Sequence, residues 1–159
     1  MALQSMTALA SITLQSASAS VTFSGIPQNY RDLVLVFNGT TAIADGVGSR
    51  YNGDSGNNYS AFRMTGSSAG AISDGFSAIS RIIETAGNTD ERTIYISNIM
   101  DYSATDKHKS VTTRSSIASN VTGIASRWAN TVAISSIMVF SPGSTISSGS
   151  TINLYGRIA

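Results

Sequence analysis

The sequence predicts an all-β fold, a single antiparallel β-sandwich of jelly-roll-like form with long glycine- and serine-rich loops. Three observations point there. Apolar residues alternate with polar ones over short runs, at roughly ten-residue spacing and with glycine turns between them. No stretch sustains the 3.6-residue apolar period of an amphipathic helix. Only 12% of residues are charged, about half the usual share of ~25%. Polarity comes instead from serine, threonine, asparagine and glycine, which suit exposed strand faces and turns and are poor helix formers.

Residues 30–38 (Tyr-Arg-Asp-Leu-Val-Leu-Val-Phe-Asn) form the strand around which the rest is arranged. Leu33, Leu35 and Phe37 share one face, and Val34 and Val36 the other. A strand in a two-sheet sandwich needs one apolar face, and this one has two. The second face is left for a loop, a neighbouring subunit or solvent, so Val34 and Val36 are candidate interface residues.

Before this strand, residues 9–14 offer Ile12 and Leu14 on one face, and Val21 and Phe23 alternate with serine and threonine. These predict two half-buried strands, the second ended by Pro27, which cannot donate into a ladder. Residues 1–8 are uncharged and lack a core pattern. They predict an N-terminal arm ordered by a neighbour, with Met1 and Leu3 at the contact. After the central strand, residues 40–49 read as a loop of small residues and 50–60 as the densest turn signal. Residues 61–65 read as strand or short helix, and 66–75 as a second loop. Strands are predicted over 79–84, 93–100, 108–117, 121–128, 136–140 and 151–158. The expected core joins Leu35 and Phe37 to Ile96, Ile137, Val139 and Leu154. No repeat or linker divides residues 1–159, which make one domain at this length.

Composition also narrows function. A net charge of +1 recommends neither nucleic acid nor an anionic membrane as partner. No apolar run approaches membrane-spanning length, and the first basic residue, Arg31, comes too late for a secretory signal. With no cysteine there are no disulfides, and the redox compartment stays open. His108 is the only histidine, within Asp106-Lys107-His108-Lys109-Ser110. Adjacent residues on a strand point to opposite faces, whereas triad groups converge from separate segments. A solvated strand entrance is the better reading. One histidine without cysteine argues against zinc. Residues 52–58 superficially resemble a calcium loop but carry one carboxylate and lack the distal bidentate glutamate, so a structural turn is expected. No catalytic, metal or cofactor residue is assigned, and the chain reads as no enzyme. An alternative binding reading takes Tyr51, Asn57, Asn58 and Tyr59 as a sugar platform, rings stacking and amides bonding hydroxyls. Against it, aromatic residues beside a loop often anchor that loop to the core.

Residues 26–33 (Ile-Pro-Gln-Asn-Tyr-Arg-Asp-Leu), 50–59 (Arg-Tyr-Asn-Gly-Asp-Ser-Gly-Asn-Asn-Tyr) and 149–156 (Gly-Ser-Thr-Ile-Asn-Leu-Tyr-Gly), with Asp101-Tyr102 before Lys107-His108-Lys109, resemble a group of small virion structural proteins of tailed bacteriophages. The resemblance spans most of the chain and implies a β-sandwich without enzymatic activity. The function expected is that of a capsid decoration or cement protein stabilising the head shell. Its expected partners are other virion proteins, either the major capsid protein or tail proteins, and copies of itself in a homotrimer. It would be made in the bacterial host cytoplasm and reside in the virion. A tail-fibre or receptor-binding module recognising cell-surface glycan is the alternative.

Overall fold

Twelve strands build the molecule, in a computed structural model that describes residues 5–43, 46–85 and 91–158. They are β1 (Met6–Thr13), β2 (Ser20–Ser24), β3 (Asp32–Gly39), β4 (Gly48–Tyr51), β5 (Tyr59–Ser67) and β6 (Gly70–Ile79), followed by β7 (Ile82–Ile83), β8 (Thr93–Met100), β9 (Lys109–Ser116), β10 (Asn120–Trp128), β11 (Ser136–Phe140) and β12 (Thr151–Arg157). Every pairing is antiparallel. Eight strands form one sheet in the order β1-β12-β3-β8-β9-β10-β5-β6, and four form the other, β2-β11-β4-β7. The chain crosses between the two sheets again and again, so each sheet joins strands distant in sequence. The fold is thus the all-β sandwich the alternating pattern predicts, with sheets of unequal width.

The small sheet covers one face of the large one. Val21 and Phe23 of β2, Tyr51 of β4 and Ile137 and Val139 of β11 meet Leu33, Leu35 and Phe37 of β3, Tyr95 and Ile99 of β8, and Ile152 and Leu154 of β12. The Phe37 and Tyr95 rings stack with centroids 5.2 Å apart. Close packing at this interface also explains Gly156, whose position opposes Leu33. A Cβ there would lie 2.5 Å from Cγ of Tyr30, whose ring lies against that strand.

Of the expected core, Leu35, Phe37, Ile137, Val139 and Leu154 are buried. Ile96 is not. Directly opposed residues share a face, and Ile96 pairs with Val36 while Ser97 pairs with Leu35. Tyr95, Ser97 and Ile99 therefore face the core, and Ile96 is half-buried on the outside.

Other departures have a common origin in backbone pairing. The expected arm is strand over its last three residues, with Met6, Thr7 and Ala8 opposing Arg157, Gly156 and Tyr155. Met1 and Leu3 lie outside the described residues. Residues 66–75 are no loop but the tip and outer strand of the β5–β6 hairpin, closing at Ser67↔Gly70. Exposed along most of its length, β6 shows no apolar alternation. Residues 48–51, read as loop and turn, form β4 between β11 and β7. The strand expected over 79–84 is broken, with β6 ending at Ile79 and β7 holding only Ile82 and Ile83.

Candidate functional site

The outer face of the large sheet is the site the structure brings forward. Register places Val34 and Val36 of β3 with Ile94, Ile96, Asn98 and Met100 of β8 on this face. It continues through Arg114 of β9 and Val121 and Gly123 of β10 to Phe62 and Met64 of β5. Among the described residues much of this face is uncovered: Met64 is 60% exposed, Val121 64% and Ile94 44%. Val34 and Val36 lie on it as the alternation predicts, but at its better-covered side. Val34, between Tyr155 and Asn98, is only 5% exposed, and Val36 is half-buried. The exposed apolar surface is displaced from them toward β8, β10 and β5.

There a groove of about 800 Å³ crosses β8, β9, β10, β5 and β6. Ile94, Ile96, Val121 and Met64 line it, together with Arg114. Gly123 stands between Arg114 and Met64 in the register, and a Cβ at Gly123 would meet nothing within 4 Å. Gly66, opposite Val121, is a second gap in the side-chain layer. Arg114 makes no hydrogen bond or ion pair with the described residues, unlike Arg63, which pairs with Asp74 at 2.7 Å, and Arg157, which pairs with Asp32 at 2.6 Å. A missed clue lay in Gly123, since a glycine inside a strand often marks close approach by another group.

The proposed sugar platform is not assembled. Tyr51 and Tyr59 are enclosed, and their rings pack with Trp128 of β10 at centroid distances of 5.6 and 6.2 Å. Burial raises both phenols, Tyr51 well above its ordinary value and Tyr59 to about 12. Only Asn57 and Asn58 of the four remain exposed. The rings anchor the loop, and Asp54 ties it down. Its carboxylate accepts bonds from Trp128 Nε1 at 2.7 Å, Asn58 Nδ2 at 3.0 Å and the Gly56 N–H at 2.8 Å. Burial pushes Asp54 upward, but these donors and the nearby Arg50 charge hold it below its ordinary value. Asn52 and Gly53 turn the chain with positive φ, a conformation open to glycine and tolerated by asparagine.

Two ionisable groups are enclosed where the sequence pattern does not foretell it. Glu84, just after β7, accepts bonds from Ser49 of β4, Ser97 of β8 and Thr113 of β9, joining the two sheets. Burial raises its carboxyl, and the three hydroxyls only partly offset that. Lys109 was expected in a solvated strand entrance, and Lys107 and His108 are indeed exposed. Lys109 instead turns inward, its Nζ donating to the carbonyls of Ala104, Lys107 and Thr131 at 2.7, 3.0 and 3.1 Å. Burial lowers its ammonium from the ordinary value. Inward direction at Lys109 follows from register, because Lys109 opposes Trp128.

No protein-family model and no curated protein matches the chain. Among solved structures it is similar to a marine PL-14 alginate lyase from Aplysia kurodai, with 7% identity, a TM-score of 0.39, and coverage of 83% of this chain and 70% of that one.

Proposed function

We propose that the protein is a structural subunit of a tailed-bacteriophage particle, a capsid decoration or cement protein that binds the head shell through the outer face of its large sheet. The observation that carries this is the gathering of Met64, Ile94 and Val121, largely exposed, on one sheet face that the small sheet does not cover. Apolar surface is worth about 25 cal/mol per Å² when removed from water, and contiguous exposed patches mark interaction surfaces. A chain with few charges has little to keep such a face apart from others. The sequence resemblance to virion structural proteins supplies the setting. Its partners would be the major capsid protein and copies of itself in a homotrimer.

The ionisable groups that are bonded within the fold suit a structural role. Asp54 and Lys109 hold loops, and Glu84 ties the sheets together. The glycan-binding alternative loses its stacking rings with the burial of Tyr51 and Tyr59. Quantitative mass spectrometry of purified particles tests the proposal. A copy number comparable with that of the major capsid protein is expected. A few copies per particle would place the protein in a fibre instead, and absence from particles would end the reading.

A further inference from the structure

We propose that the groove across β8, β9, β10, β5 and β6 receives an extended peptide segment of a neighbouring particle subunit, apolar along its length and bearing one carboxylate that pairs with Arg114. This inference rests on the assembly reading and specifies its partner.

Shape argues first. The groove crosses five adjacent strands. At ~4.8 Å between strands this spans roughly 19 Å, the length of about six extended residues. Such a trough suits a chain better than a compact ligand. The layer is lowest at Gly123 and Gly66, where another backbone can approach closely.

Chemistry narrows the occupant. Ile94, Ile96, Val121 and Met64 offer aliphatic contacts. Tyr95 borders the groove, but its ring is enclosed on the core side. A sugar would find no exposed ring among these residues on which to stack, whereas aliphatic side chains of a peptide pack well there. Arg114 supplies the polar requirement. It is exposed, has no partner among the described residues, and is flanked in register by Ile96 and Gly123. A guanidinium covered by an apolar segment must receive an anion or lose its hydration uncompensated, and its fork matches a carboxylate.

The intact protein, 13C-labelled at methionine methyls, provides the test. Met64 lies in the groove, and Met138 of β11 in the small sheet is the control. The probes are two pools of short blocked peptides with alternating apolar positions, one with a central glutamate and one with glutamine. Wild-type protein should show a Met64 shift with the glutamate pool, none at Met138, and about tenfold weaker response to the glutamine pool. Arg114→Met should abolish that preference without moving the melting temperature. No Met64 shift, or equal response to both pools, overturns the inference. A Met64 shift with oligo-uronate but not with peptides overturns it in favour of an acidic glycan.

Co-sedimentation with capsids separates this inference from the assembly reading. Arg114→Glu should lose capsid binding, while Arg127→Glu, on the same face but outside the groove, should keep it. If Arg114→Glu still binds capsids and the peptide pools fail, the groove inference falls and the particle reading stands. If wild-type protein ignores capsids yet discriminates the pools at Met64, the particle reading falls and takes with it the particle subunit as the peptide's source, while the groove's selectivity for an apolar peptide bearing a carboxylate stands.

Discussion

Asp54 shows how much one side chain carries where the surrounding composition offers little. Its oxygens satisfy Trp128 Nε1, Asn58 Nδ2 and the Gly56 N–H, so a loop of glycine and asparagine is held against the aromatic cluster. Asp54→Ala leaves the indole N–H without its acceptor and should cost on the order of 1–3 kcal/mol, with Asp54→Asn milder. Thermal melts followed by Trp128 fluorescence measure this, and an unchanged midpoint for the alanine variant would remove Asp54 from its holding role. Glu84 makes a pH-dependent contribution of opposite sign to that of Asp54. Its folded-state carboxyl is raised, burial being the largest cause. The folded protein therefore retains the proton where the unfolded chain has lost it. The associated stability is fully present below the unfolded value of about 4.3 and is lost as pH rises through the raised folded value. Asp54, held low, contributes stability that is present above about 3.9 and is lost as pH falls through its depressed value. Melting temperature against pH should thus have a falling limb above the glutamate range, and Glu84→Gln should flatten that limb while leaving the acid limb in place. Parallel profiles for the two proteins would assign the limb to another group.

Strands differ in how visibly they are written. Strands β8 and β11 are predicted to their ends, and β3 and β12 to within two residues, because each alternates or runs apolar between clear turn signals. Strand β6 was invisible, since it lies at the edge with mostly exposed small residues and is defined by pairing to β5. The short β4 was hidden for a related reason, its Gly48 and Ser49 being strand only because β11 and β7 flank them. Ile96 shows a different limit. Alternation tells which residues share a face and is silent about which face turns inward; the stacking of Tyr95 on Phe37 accompanies the inward choice in β8. Of the candidate site, Val34 and Val36 were legible as a second apolar face. Arg114, Met64 and Val121 were not, because they meet only through the β8-β9-β10-β5 register. The same distinction between paired edge and enclosed centre predicts dynamics. Amides of β6 should exchange with deuterium faster than those of β3, which has β12 on one side and β8 on the other. Equal protection in native-state exchange would mean that something covers the β6 edge.

At the scale of the whole molecule, four strands cover one face of eight, and the consequences for stability and for assembly fall on different residues of the other face. Val34 is almost enclosed between Tyr155 and Asn98, so Val34→Asp introduces a charge where little water reaches and should lower the melting temperature substantially. Val121, mostly exposed, faces no such cost. Val121→Asp should change stability by no more than ~0.5 kcal/mol while placing a charge in the apolar groove. If the face is a docking surface, Val121→Asp should be a well-folded protein that no longer joins particles. Val34→Asp should instead be a folding variant whose binding loss follows its lost structure. Thermal melts and capsid co-sedimentation, run on the same preparations, resolve the two effects. A stable Val121→Asp protein that still sediments with capsids would show that the exposed apolar face is not where the molecule docks, and attention would move to the outer surface of the small sheet. A Val121→Asp protein that unfolds would show that the face is covered in solution by a second copy on which the fold depends. Concentration-dependent melting of the wild type would then reveal that obligate partner directly.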